Sequence, residues 1–112
     1  MEGKRLIKVS RQIQKDLGEI FQRQALALFQ GKMITVTTVR VTPDLGLAKV
    51  YVSIFPPENK EAIMEAIKHN TKTLRHELAQ RIRNQMRIVP ELAFYIDDSL
   101  DYIEKIDRLL KE

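Results

Sequence analysis

Apolar side chains recur every three or four positions through the first quarter of the chain. From about Lys4 to Leu28 they fall on one side of a helix, so the pattern predicts a long amphipathic helix with a buried apolar face. Cations form a stripe almost opposite this face: Lys4, Lys8, Arg11 and Lys15. The stripe is equally compatible with simple solvation and with contact to phosphate groups.

Two strands are predicted after this helix. Gly31 is the expected C′ residue of the helix, because glycine readily adopts the left-handed conformation found there. A run rich in Val, Ile and Thr predicts a strand at Ile34–Val41. Its alternation slips midway, which indicates either a bulge or a strand buried on both sides. The turn residues of 42–46 connect it to a second alternating strand, Leu47–Phe55, which predicts an antiparallel hairpin.

A broken helix is predicted in the second half of the chain. Helical spacing covers about 60–68, but residues 69–73 are weak helix formers and predict a kink. Asn70 or Thr71 is expected to cap the helix that follows, and asparagine also tolerates the positive φ that a kink can use. That helix is expected to run until Arg87–Pro90, because the residue before a proline avoids the helical conformation.

The last predicted strand is short. Leu92–Asp97 alternates with Leu92, Phe94 and Ile96 inward, and it follows a helical crossover, so it should lie parallel to one hairpin strand. The fold class is therefore α+β, with the order helix, strand, strand, helix, helix, strand over residues 1–97. Residues 98–112 form an acidic amphipathic segment that predicts a terminal tail helix, which could dock on the domain, fray or bind a partner.

The positive charge is concentrated in the broken helix. The chain has a net charge of +4, yet the stretch from Lys68 to Arg87 contains six cations and a single carboxylate, Glu77. Residues 1–96 have a net charge of +7, whereas residues 97–112 have a net charge of −3. A basic body with an acidic tail favours a nucleic-acid-binding face that avoids the tail. The alternative is that the basic helix is only a solvated surface.

Several other classes of protein are disfavoured. The chain has no cysteine, which excludes disulfides, thiol nucleophiles and Cys-ligated metals. It has no long apolar run and no secretory signal pattern, so we expect a cytoplasmic protein without membrane contact. His69 and His76 could form a metal pair, but a solvated pair is favoured. No P-loop, nucleophile elbow or paired-carboxylate motif is present, so we expect neither an enzyme nor a cofactor.

Three blocks together resemble a known family, the bacterial ribosome-binding factor A proteins. They are VSRQIQKDL at 9–17, VTPDLGLAKVYVS at 41–53, and a third that runs from LRHELAQRI at 74–82 through RIVPELAFYIDDS at 87–99. In this order and at these spacings they extend the resemblance over roughly residues 5–99. The combination is far more specific than any one segment.

The resemblance implies a type II KH-like domain that binds the small ribosomal subunit late in its maturation. The implied contacts are 16S ribosomal RNA and neighbouring ribosomal proteins, and the implied roles are support of 5′-end processing and cold adaptation. The family is not enzymatic. We therefore expect a monomeric assembly chaperone without a metal or cofactor, with a GTPase as the candidate releasing factor.

One feature of the KH family is missing from this chain. KH domains clamp the nucleic-acid backbone with a GxxG loop between two helices, and no glycine of this sequence lies in the broken helix. The resemblance places a kink of the form Ala-x-Gly there instead, and this chain has Asn70-Thr71-Lys72 at that position. The kink remains expected, with Lys72 in place of a close glycine contact to phosphate.

The predicted RNA contacts combine the broken helix with the first helix. They are Lys4, Lys8, Arg11, Lys68, Asn70, Lys72, Arg75, Arg81 and Arg83. Base stacking is disfavoured, since Phe and Tyr total seven and several point inward by parity. Two alternatives remain: a generic KH-type RNA-binding module outside ribosome assembly, and a protein-interaction module that uses the tail.

Overall fold

The computed structural model describes residues 2–97 of the chain. The elements are α1 (Glu2–Leu28), β1 (Met33–Val41), β2 (Leu47–Phe55), α2 (Lys60–His69), α3 (Thr71–Ile82) and β3 (Glu91–Ile96). This order confirms the predicted α+β class. The predicted tail helix at 98–112 lies outside the described residues.

The sheet has the order β1-β2-β3. β1 pairs with β2 antiparallel, and β2 pairs with β3 parallel, as the hairpin and the crossover predicted. The register of β1 shifts between Val36 and Thr38, which confirms a bulge. The extra residue, Thr37, allows Val36 and Val39 both to be buried on the same side of the sheet.

The core lies between the helices and one face of the sheet. α1 contributes Ile13, Leu17, Ile20 and Phe21, all fully buried, and α3 contributes Leu74, Leu78 and Ile82. The ring of Phe21 lies 5.6 Å from that of Phe29 and 5.9 Å from that of Phe94, so it joins α1 to β3. This one-sided packing leaves the other face of the sheet uncovered by the described helices.

The two turns that frame β1 follow their predicted chemistry. Gly31 has a φ of 74°, and Gln30 before it also has a positive φ, 56°, so the chain leaves α1 through two left-handed residues. In the hairpin turn, Asp44 accepts hydrogen bonds from the Thr42 hydroxyl (2.7 Å) and the Gly46 N–H (3.0 Å). These bonds lower the pKa of the Asp44 carboxyl.

The end of α3 differs from the prediction. The helix was expected to continue to Arg87–Pro90, but it ends at Ile82. The N–H groups of Gln85 and Met86 both donate to the Ile82 carbonyl, at 2.8 and 2.9 Å, and turn the chain. Met86 then packs against the core and Pro90 is buried, so tertiary packing overrides the helical preference of residues 83–87. The proline marks the start of β3 rather than the end of α3.

We predict that Phe21→Ala lowers the free energy of unfolding by about 3 to 5 kcal/mol, because it removes a buried ring and leaves a cavity. Urea denaturation of the parent and variant measures the difference. Leu26→Ala, in the same helix at a position 88% exposed, is the control and should change stability by less than about 0.5 kcal/mol. Equal effects of the two substitutions would contradict the assigned core.

Candidate nucleic-acid interface

The kink between α2 and α3 is built around Asn70. Its φ is −100°, not the positive value considered for a kink. Its side-chain amide donates to the Ala66 carbonyl at 2.8 Å, and the Thr71 hydroxyl donates to the Lys68 carbonyl at 2.9 Å. The side chains therefore cap the end of α2. Asn70 occupies the N-cap position of α3, as predicted, but its side chain makes no capping hydrogen bond there. The kink itself is confirmed.

Two lysines flank this kink. Lys68 and Lys72 are exposed, and among residues 2–97 no ion pair involves either one. Both ammonium groups are thus available to a ligand. Asn70 is half-buried and uses its amide within the protein, so it positions the two lysines more than it offers a contact of its own.

The outward side of α3 carries cations and no carboxylate. At about 100° per residue, the side chains that share this side are Lys72, His76, Gln80 and Arg83. The one acid in α3, Glu77, is turned towards α1, where it accepts hydrogen bonds from Arg23 (2.7 Å) and Gln24 (2.5 Å). This arrangement removes the only negative side chain of α3 from its basic surface.

Two predicted contacts, Arg75 and Arg81, are engaged inside the domain. Arg75 donates from Nε to the Pro90 carbonyl (3.0 Å) and from Nη2 to the Val89 carbonyl (2.7 Å). Arg81 donates to Glu19 at 2.6 Å and lies 3.6 Å from Asp16. These guanidinium groups tie α3 to the start of β3 and to α1, so a structural role accounts for both. Their partners are backbone carbonyls and remote acids, which no local sequence pattern indicates.

The basic stripe of α1 faces an open groove beside the turn after α3. The groove has a volume of about 550 Å³ and is lined by Arg5, Lys8, Val9, Arg11, Gln12, Lys15, Gln85 and Met86. A smaller adjoining groove adds Arg87 and Ile88. No acid among residues 2–97 lines either groove. Arg5, Lys15 and Arg87 were all missing from the predicted contacts. Lys15 and Arg87 belonged to the basic patterns seen in the sequence, whereas Arg5 lies off the four-residue stripe.

The predicted residues thus form two clusters at opposite ends of α3. Contacts of Arg23 with Glu77 and of Glu19 with Arg81 show that α1 and α3 run antiparallel. The kink cluster contains Lys68, Asn70 and Lys72, and the groove cluster contains Lys8 and Arg11. Lys4 lies one turn before Lys8 in α1, and Arg83 directly follows α3. The 12 residues of α3 separate the clusters by roughly 18 Å. The outward side of α3 connects them into one basic surface.

The described part of the chain contains neither a cluster of metal-binding side chains nor a helix that could cross a membrane. Within residues 2–97, no three side chains of the His, Cys, Asp and Glu types gather closely enough to hold a metal ion. No helix in the same range has the length and apolar character needed to cross a membrane.

A three-stranded mixed sheet with a kinked helix pair, whose second helix is basic, defines a KH-like α+β domain. The chain belongs to the ribosome-binding factor A family, whose model matches residues 5–110. It is 51% identical to ribosome-binding factor A of Flavobacterium psychrophilum over 98% of this chain and 85% of that protein. It is 46% identical to the Cytophaga hutchinsonii protein over 100% of this chain and 84% of that one.

Solved structures of the same family share the fold. The crystal structure of ribosome-binding factor A from Thermus thermophilus superposes with a TM-score of 0.69 at 26% identity, covering 81% of this chain and 94% of that one. A Thermus thermophilus homology model fitted into a cryo-EM map of a 30S complex has a TM-score of 0.63 at 30% identity, covering 80% and 91%. The family and fold implied by the resemblance are thereby confirmed.

We predict that Arg75→Ala lowers the free energy of unfolding by about 1 to 3 kcal/mol, because two carbonyl groups lose a charged donor. Thermal or urea denaturation measures the change. Lys72→Ala removes the same charge from the same helix without breaking a described contact, so it should leave stability within about 0.5 kcal/mol of the parent. If Arg75→Ala leaves the free energy of unfolding unchanged, Arg75 has no structural role and counts among the cations available to a ligand.

Proposed function

We propose that this protein binds free small (30S) ribosomal subunits, or their precursors, through 16S rRNA and supports late maturation and 5′-end processing of that RNA. The observation that carries the proposal is the basic surface that runs from the kink along α3 to the groove beside α1, a groove that no acid of the described part of the chain lines. Membership of the ribosome-binding factor A family supports it, as does the 30S complex reported for the Thermus thermophilus protein. The protein acts by binding, without catalysis or a cofactor.

The proposed contacts are mainly electrostatic. Lys68 and Lys72 bind phosphates at the kink, and Asn70 holds the kink in shape. Lys8 and Arg11 bind phosphates at the groove, with Lys4 beside them on the α1 stripe and Arg83 at the end of α3 as further contacts. Arg75 and Arg81 contribute positive potential while they hold α3 in place. Phosphate contacts fix position and orientation without reading bases, so specificity comes from RNA shape and from neighbouring ribosomal proteins.

The cellular setting completes the proposal. The protein works in the cytoplasm as a monomer, contributes to cold adaptation, and leaves the subunit with the help of a GTPase. A generic KH-type RNA-binding module outside ribosome assembly has the same fold and charge. Selective binding to free small subunits, in preference to translating ribosomes, separates the two functions.

We predict that Lys68→Glu with Lys72→Glu, or Lys8→Glu with Arg11→Glu, weakens binding to free small subunits by about tenfold or more, because attraction to phosphate becomes repulsion. Sedimentation of the protein with purified subunits through a sucrose gradient measures binding. Lys105→Glu with Lys111→Glu is the control, since it changes the net charge equally within the acidic tail. Equal losses of binding in all three variants would show that binding depends on total charge and not on this surface. If both test variants bind as tightly as the parent, the surface is not the binding site.

Salt dependence gives a second test. If four to six phosphates are neutralised, the logarithm of the binding constant should fall with the logarithm of salt concentration with a slope of about −3 to −5. The Lys68→Glu, Lys72→Glu variant should have a slope smaller in magnitude by roughly 1.5, since two contacts are lost. Titration of subunits at several salt concentrations measures the slope, and a slope near zero would exclude a mainly phosphate-driven contact.

A further inference from the structure

The sheet face opposite the helices carries its own ordered set of side chains. Strand register places Arg40 opposite Lys49, and Tyr51 opposite both Thr38 and Tyr95. Thr35 lies opposite Ser53, and Met33 lies opposite Phe55 at the far end of the hairpin. No helix among residues 2–97 covers this outer face, so its rows of charged, aromatic, hydroxyl and apolar side chains are accessible.

The middle of this face is a pair of stacked tyrosines. The ring centroids of Tyr51 and Tyr95 are 5.4 Å apart with an angle of 29° between the ring planes. Tyr95 is 43% exposed, and Phe55 further along β2 is 63% exposed. From the sequence alone, stacking of bases is disfavoured because most aromatics point inward. The structure buries Phe21, Phe29 and Phe94 but presents these three aromatics on the outer face.

The row beside the tyrosines is positively charged. Arg40 and Lys49 are both exposed and directly opposite each other, and like charges in that position destabilise a sheet. None of the ion pairs within residues 2–97 involves either side chain. Asp97 accepts a hydrogen bond from the Thr37 hydroxyl and lines the same small pocket as Thr38, Arg40 and Tyr51, so one carboxylate lies near Arg40. A bound anion would relieve the repulsion between the two cations.

We infer that this outer face is a second RNA site, which binds one or two unpaired nucleotides. Their bases stack on Tyr95 and Tyr51, and their phosphates contact Arg40 and Lys49. Flat rings next to unpaired cations and hydroxyl groups match the chemistry of a single strand better than that of an apolar peptide, which would need a continuous hydrophobic surface. The inference rests on the proposed function and extends it, since the domain would then contact RNA from both sides.

Tyrosine fluorescence tests this site directly. The chain has three tyrosines and no tryptophan, so a Tyr102→Phe background reports only on Tyr51 and Tyr95. An unstructured oligouridylate of about ten nucleotides should quench the emission, whereas an abasic oligomer of the same length should not. Tyr95→Ala should weaken oligouridylate binding by about 5- to 20-fold, as expected for loss of one stacked base. Tyr95→Phe retains the ring and should bind like the parent.

The same titrations separate this site from the helical surface. The Lys68→Glu, Lys72→Glu variant should keep the quenching. Lys49→Glu should weaken the quenching but should reduce binding to small subunits less than the Lys68→Glu, Lys72→Glu variant does. The second site is overturned if the Lys68→Glu, Lys72→Glu variant loses the quenching, or if the abasic oligomer binds as tightly as oligouridylate. Either result leaves the proposed function intact.

Another occupant of this face gives a different result. If quenching is absent in the full chain and emerges only after Ile103→Ser with Ile106→Ser, the chain's own residues 98–112 cover the face, and the RNA site is overturned. If RNA quenches the emission but the parent protein does not bind small subunits, the outer-face site is supported and the proposed ribosomal function fails. Unchanged affinity of Tyr95→Ala also excludes base stacking at this position.

Discussion

The basic surface depends on the burial of one side of α3. Leu74, Leu78 and Ile82 are fully buried between α1 and the sheet, and they fix the rotation of the helix about its axis. Once those three side chains face the core, Lys72 and Arg83 must face away from it, because they lie on the opposite side of the same helix. The basic surface is thus a consequence of hydrophobic packing, and a rotation of α3 about its axis would turn its cations away from that surface.

Ion pairs between α1 and α3 refine the distribution of charge. Glu77 pairs with Arg23, and Glu19 pairs with Arg81, so both acids lie at the contact of the two helices. Exposed pairs of this kind contribute only about 0 to 1 kcal/mol each to stability. Their larger effect is on the surface potential, because they keep negative charge away from the outward side of α3 and from the groove. Arg23 and Arg81 are engaged in these pairs, which leaves mainly the lysines, Arg11 and Arg83 for the proposed contacts with RNA.

Local patterns predicted most of the fold, and non-local packing accounts for what they missed. The hairpin, the bulge and the end of α1 follow from alternation and turn residues that are neighbours in sequence. The early end of α3 could not be predicted in this way, because it depends on Met86 and Pro90 meeting a core assembled from distant elements. Residue type alone suggested the proposed binding surface, but the engagement of Arg75 with two carbonyls 14 and 15 residues away required the folded chain.

The chemistry of the kink explains why a second source of specificity is useful. A GxxG loop lets phosphate approach the backbone closely, but here Asn70 and Thr71 close the kink by bonding the carbonyls of α2. In the proposed function, contact with phosphate is made by the long, flexible side chains of Lys68 and Lys72, which would attract any polyanion and lose affinity as salt rises. Such a surface supplies fast, reversible binding but little discrimination between RNA segments. The stacked tyrosines of the second site proposed on the opposite face would recognise unpaired bases, a feature that duplex RNA lacks. A domain with both faces would bind best where a structured RNA backbone lies next to an unpaired strand, as in a subunit whose RNA is not yet fully folded.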